Sequence, residues 1–125
     1  MDKLQIYYQP IQDNPDHLKS LTLSFYDFDE VAGTYKKKIV LEQDGSKYKI
    51  KNVLTNLDEI RVLIDSVDFA NYTATDVNPG DPYYFIKKGD RSLATGNAAS
   101  IQALLDAVHF DEILGYDISL YKKCD

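Results

Sequence analysis

The chain has 125 residues, a formal net charge of −6 and a single cysteine. This length suits one domain, and the balance of apolar and charged residues is typical of a globular protein. A lone cysteine excludes a disulfide scaffold, and no apolar run reaches the roughly 18 residues that a membrane-spanning helix needs. Because no secretory segment opens the chain, we expect a single-domain protein of the cytoplasm that does not contact membranes.

The first half of the chain alternates apolar and polar residues in the manner of half-buried strands. Residues 3–9 and 21–26 each show this period of two. Further along, Asp44-Gly45 stands between two alternating runs and favours a type I′ hairpin. A two-residue turn there pairs Leu41 with Tyr48 and places every apolar pair on one face. The opposite face, which carries lysines, is expected to contact water.

Two helices are predicted from their capping residues and apolar stripes. Asn56, with Glu59 three residues later, predicts a capping box that opens a helix ending near 67–69. Asn97 is expected to cap a second helix, and Gly115 marks the end of that region.

A second hairpin is expected between these helices. Gly89-Asp90 suits a type II′ turn that joins strands at 83–88 and 91–95. Residues 118–121 alternate weakly and are expected to form a last strand at an edge.

The segments 56–69 and 97–110 align without a gap and share several residues. One interpretation is a duplicated ββα unit with copies at 34–77 and 83–121. The other is that two capped amphipathic helices share these residue types by their nature. Under either interpretation the fold is α+β: a single antiparallel sheet of about six or seven strands with two amphipathic helices on one face.

The sequence offers few groups for catalysis. No nucleotide-binding loop, zinc-protease motif or nucleophile elbow occurs, so we expect no cofactor. Cys124 stands next to the carboxyl end, where we expect a frayed chain rather than a catalytic thiol. Asp106 precedes His109 by three residues, which is compatible with a metal-assisted hydrolase centred on that pair. A histidine that interacts with the carbonyls at a helix end is the simpler interpretation.

Acidic residues and tyrosines together indicate a recognition surface, because tyrosine supplies rigid contact area and carboxylates supply charge. The preferred contacts lie in and after the loop that follows the first helix, and a second group lies at the first hairpin. The preferred residues are Tyr72, Asp76, Asp81, Tyr83 and Tyr84, and the second group is Asp27, Asp29 and Glu30.

We therefore expect a small protein-binding protein of the inhibitor or immunity type, which occludes a more basic partner such as a toxin or nuclease. Tyrosines could also stack on bases while Lys38, Lys49 and Lys51 contact phosphates, but the acidic balance disfavours nucleic acid. A third class is a structural or homo-oligomeric module joined through an edge strand at 3–9 or 117–122.

Overall fold

The computed structural model describes residues 2–72, 74–115 and 118–124. Seven strands form one antiparallel sheet in the order β6-β5-β1-β2-β3-β4-β7, which confirms the α+β prediction. The strands are β1 (Leu4–Gln9), β2 (Leu18–Asp29), β3 (Thr34–Gln43), β4 (Ser46–Leu54), β5 (Tyr83–Lys88), β6 (Arg91–Thr95) and β7 (Lys122–Lys123).

Three α-helices pack on one side of this sheet. They are α1 (Leu57–Ser66), α2 (Gln102–Ala107) and α3 (Phe110–Leu114), and short 3-10 turns cover Phe69–Asn71, Ala98–Ile101 and Ile118–Leu120. The turn at Ala98–Ile101 runs directly into α2, so the two together form the second predicted helix. In the described ranges, no helix has the length and apolar character needed to span a membrane.

The core lies between the helices and one face of the sheet, which we call the helix face. Ile6, Leu23 and Ile39 stand opposite one another on three neighbouring strands and belong to the same buried cluster as Ile64 of α1 and Ile101 before α2. Because successive side chains alternate, the residues between them point to the other side of the sheet, which we call the open face.

Both predicted hairpin registers are confirmed. Gln43 pairs with Ser46 and Leu41 with Tyr48. Asp44 and Gly45 have φ values of 52° and 78°, as a type I′ turn requires. In the second hairpin Ile86 pairs with Leu93.

The expectation that residues 3–9 form an edge strand is wrong. β1 pairs with β2 on one side and with β5 on the other, so it lies inside the sheet. The alternation of apolar and polar residues indicates which face of a strand is buried. It does not indicate whether the strand is hydrogen-bonded to one neighbouring strand or to two. The edges are β6 and the two-residue β7; of the predicted edge 117–122, residue 117 lies outside the described residues.

The second predicted helix is interrupted. Its apolar stripe is buried, but His109 adopts φ 54° and separates α2 from α3.

The predicted capping box of the first helix is absent. The Asn56 side chain accepts no hydrogen bond from the helix backbone, and it instead donates to Glu59 Oε2 at 2.8 Å.

The last strand is shorter and later than predicted. Residues 118–120 form a 3-10 turn, which brings Tyr121 into the core, and only Lys122–Lys123 pairs with β4. Cys124 is not frayed as expected, because its amide donates to the carbonyl of Lys47 at 2.7 Å. One short edge pairing therefore holds this end of the chain.

The proposed duplication remains a prediction. Asn97 caps its turn with a side-chain hydrogen bond to the Ala99 amide, whereas Asn56 makes no such bond. Each hairpin lies outside the central pair β1-β2, on opposite sides of it.

Candidate functional site

Three connections meet at one end of the sheet, and we call this region the loop end. It consists of residues 10–17 between β1 and β2, the turn at Asp44-Gly45, and residues 76–82 before β5. The Gln12 amide donates to the Gly80 carbonyl at 3.1 Å, and the Asp44 amide donates to the His17 carbonyl at 3.3 Å. These hydrogen bonds join segments that are distant in sequence into one surface.

Asn14 organises the first of these connections. Its amide nitrogen donates to the carbonyls of Ile11 and Leu18 at 3.0 and 2.8 Å, and its Oδ1 accepts from the Leu18 amide at 3.0 Å. Asp13 and His17 on either side have φ values of 61° and 55°. Asn and Asp side chains favour such turns because they replace missing backbone hydrogen bonds.

A cavity of about 450 Å³ opens at the loop end. Its wall combines apolar side chains, among them Pro10 and Ile11, with the polar Asn14 and His17. Ile11 is 55% exposed. An apolar patch beside polar groups is the usual arrangement of a surface that contacts another protein.

Exposed carboxylates lie at this end of the sheet, and Asp13 itself lines the cavity. Asp13, Asp16, Asp76 and Asp81 are all exposed, and none of them forms an ion pair within the described part of the chain. The structure therefore brings the predicted residues Asp76 and Asp81 to the same end of the sheet as two carboxylates that the sequence did not single out.

The two adjacent tyrosines of β5 are directed to opposite faces. The Tyr83 hydroxyl donates to Gln9 Oε1 at 3.1 Å, and its ring lies 5.9 Å from that of Tyr7 on the open face. The Tyr84 ring stacks on the Tyr8 ring with 4.7 Å between the ring centroids, and it meets the Phe110 ring edge-on with 5.8 Å between the centroids. Tyr84 therefore belongs to the core packing, while Tyr83 remains available at the surface.

Tyr72 lies beside Phe69 in an edge-to-face contact at 6.1 Å and is half-buried. Burial raises the pKa of its hydroxyl. The chain then follows the edge of β6, where the Thr75 amide donates to the Ala94 carbonyl at 3.4 Å and the Thr75 hydroxyl accepts from the Gly96 amide at 2.7 Å. This contact fixes the start of the segment that carries Asp76.

The second predicted group lies at the opposite end of β2. Asp27 pairs with Lys36 at 3.0 Å, and Glu30 pairs with Arg61 at 3.0 Å. The Asp29 carboxylate accepts from the Ala32 amide at 3.0 Å. Because these charges already have partners, this group is a weaker candidate for binding than the loop end.

The Asp106 carboxylate, the predicted partner of His109, already has a hydrogen-bond donor on its own helix. Asp106 Oδ1 accepts from Gln102 Nε2 at 2.8 Å. His109 lines a cavity of about 370 Å³ between α1 and α2, together with Lys37 and Glu59. Burial lowers the pKa of the Lys37 ammonium, and the Glu112 carboxylate opposes that shift. Among the residues that the structure describes, no three metal-ligating side chains cluster.

Sequence reasoning did not single out residues 10–17 as part of a site. The Asn14-Pro15 pair was the available signal, because it predicts a structured turn. The hydrogen bond from Gln12 to Gly80 could not be predicted, since the two segments are far apart in the chain.

The chain matches no family model, no curated protein and no solved structure.

Proposed function

We propose that this protein is a small cytoplasmic binding protein that occludes a more basic protein partner, in the manner of an inhibitor or immunity protein. The observation that supports this function is the loop end, where exposed apolar side chains and a cavity lie at the same end of the sheet as carboxylates that form no ion pair within the described ranges.

The carboxylates favour a basic partner for a simple reason. Asp76 and Asp81 are exposed and form no ion pair within the described ranges, so a partner's lysine or arginine can pair with them without displacing an existing contact. Complementary charge at the border of an interface raises the association rate. Ile11 and Tyr83 supply the apolar and aromatic area that such an interface needs at its centre.

A nuclease or a nucleic-acid-directed toxin fits this chemistry. Such an enzyme carries cationic side chains that contact phosphates. A surface of carboxylates can occupy those cations and block the substrate, and this mode of action requires no chemical step.

The experiment begins with capture of proteins from a native lysate, identification of the partner, and its purification. Association rates are then compared for the wild type, the double variant D76K/D81K and the matched control D2K/D90K. The control makes the same charge change at the Gly89 end of β5, since the Asp2 carboxylate would lie 3.0–3.3 Å from a Cβ at Gly89.

We expect D76K/D81K to slow association at least about fivefold at low salt and to reduce its salt dependence. D2K/D90K should associate like the wild type. Equal effects of both variants, or a captured partner with an acidic surface, would contradict the proposal.

A further inference from the structure

The open face has a composition unlike that of the loop end. Residues directly opposite one another form a continuous row across all seven strands. In order from β6 to β7 the row is Ala94, Phe85, Tyr7, Thr22, Val40, Lys49 and Lys122. Because cross-strand partners share a face of the sheet, this whole row points away from the helices.

Aromatic side chains concentrate on one half of this face and lysines on the other, and Lys87 of β5 lies within the aromatic half. Tyr7, Tyr83 and Phe85 lie on the adjacent strands β1 and β5, and Phe85 is 37% exposed. The lysines lie on β3, β4 and β7. They are Lys38 and Lys51, which face each other, and Lys49 and Lys122, which also face each other.

These lysines are available to a ligand. None of the four forms an ion pair within the described residues, whereas the neighbouring Lys36 is held by Asp27 at 3.0 Å. The Lys38 ammonium lies 5.6 Å from the centre of the Tyr26 ring. Two carboxylates reach this half of the open face: Asp27, which holds Lys36, and Glu42, which contacts Lys19 at 3.7 Å.

This arrangement matches the chemistry of a nucleotide chain. Exposed rings on a sheet stack on bases, and lysines beside them contact phosphates. β1 and β3 are separated by β2 alone, a distance of about 10 Å. A base stacked on Tyr7 can therefore extend its phosphate toward Lys38 and Lys49.

The net negative charge of the protein does not prevent such binding. The exposed carboxylates of α1 to α3, such as Asp58 and Asp111, lie on the other layer, about a helix diameter or 10–12 Å beyond the sheet. Salt screens charge over about 8 Å at physiological ionic strength. The electrostatic interaction of a ligand on the open face with the nearby lysines is therefore stronger than its interaction with the distant carboxylates.

We propose that the open face binds single-stranded nucleic acid, with bases on Tyr7, Tyr83 and Phe85 and phosphates on the four lysines. A duplex keeps its bases stacked internally and could not use the aromatic half. An acidic protein is a poorer occupant, because the centre of the face carries Thr22 and Ser24 rather than a continuous apolar patch.

The test uses fluorescence anisotropy with a labelled oligothymidine of about 12 nucleotides at about 50 mM salt. We expect saturable binding that weakens with salt and is stronger than binding to a duplex of equal length. K49E/K51E should weaken it at least about tenfold and reduce the slope of log K against log salt by about 1.4. F85L, which keeps apolar volume but removes the ring, should weaken it about fivefold.

β7 offers a matched control pair. Lys122 faces Lys49 on the open face, whereas Lys123 faces Tyr48 on the helix face. K122E should weaken binding and K123E should not, with circular dichroism showing the wild-type fold for both. Equal effects of K122E and K123E, no binding of the oligonucleotide, or stronger binding of a polyglutamate peptide than of the oligonucleotide would overturn the proposal.

Discussion

Tyr83 and Tyr84 are neighbours in β5 but contact different layers of the molecule. The Tyr83 hydroxyl donates to Gln9 on the open face, while the Tyr84 ring stacks on Tyr8 at 4.7 Å on the helix face. The pleat of the strand imposes this separation. One residue is available for recognition, and the next one stabilises the core.

Truncation of each tyrosine should therefore have a different effect on stability. Tyr84→Ala removes a ring that packs on Tyr8 and Phe110, and it should lower the free energy of unfolding by about 3–5 kcal/mol. Tyr83→Ala should lower it by less than about 1.5 kcal/mol. Urea unfolding followed by circular dichroism measures both, and equal losses would contradict the assignment of the two rings to different faces.

Tyr84 should also make the fold sensitive to alkali. Burial raises its pKa to about 12, so above pH about 10 this tyrosine ionises in the unfolded chain while it keeps its proton in the folded state. Stability should consequently fall as pH rises from about 10 to about 12. The Tyr84→Phe variant should lose less stability over this pH range than the wild type. Urea midpoints at several alkaline pH values measure this loss, and a variant that loses as much stability as the wild type would contradict the prediction.

Lys37 should destabilise the fold at neutral pH. It is half-buried on the helix face, and burial lowers its pKa. Because the unfolded state then holds its proton to higher pH than the folded state, stability should rise with pH between the lowered pKa and about 10.5. Lys37→Met should raise the urea midpoint at pH 7. It should also make the increase of stability with pH smaller than in the wild type. A lower midpoint for the variant would show that the ammonium has a stabilising partner.

The type I′ turn should tolerate only glycine at its second position. Gly45 has φ 78°, so Gly45→Ala should cost about 1–2 kcal/mol. Gly115 is the matched control, because its φ is −88° and an added Cβ would meet ordinary contacts at 3.6 Å. Gly115→Ala should be neutral or stabilise by up to about 1 kcal/mol. Thermal unfolding compares the two, and similar effects would argue against the turn.

His109 should carry backbone strain that glycine relieves. Its φ of 54° is unfavourable for a side chain with a Cβ, so His109→Gly should stabilise the fold by about 1 kcal/mol. In the alignment of residues 56–69 with 97–110, Asp68 is the residue equivalent to His109. It has φ −123°, and its carboxylate accepts a hydrogen bond from the Ala70 amide at 2.9 Å. Asp68→Gly should instead destabilise slightly, by a few tenths of a kcal/mol. Melting temperatures that shift in the same direction would contradict this difference.

The hairpins were predicted correctly because the residues that determine each turn and its register lie close together in the sequence. The dipeptide Asp44-Gly45 sets the turn, and a slip of one residue in the pairing of Ile39 with Ile50 would bury lysines. The helix break at His109 was missed because the apolar stripe continues through it to Phe110. Periodicity describes which side chains are buried, and it does not detect a single residue in the left-handed region.

The loop end and the central position of β1 depend on distant pairings. Gln12 meets Gly80, and Leu4 faces Lys88. No pattern within either segment records these contacts, since they arise from the order of strands in the sheet. The carboxylates Asp76 and Asp81 could thus be named from the sequence, but the presence of Asp13 and Asp16 at the same end of the sheet could not be predicted.

The placement of β1 also constrains the order of events during synthesis. Its first strand partner, β2, follows within a few residues, but its second, β5, begins only at Tyr83. Until the ribosome has released that segment, one side of β1 has no native pairing and is exposed to other nascent chains. Completion of the sheet therefore waits for the last third of translation, and truncated products ending before β5 should be prone to aggregation.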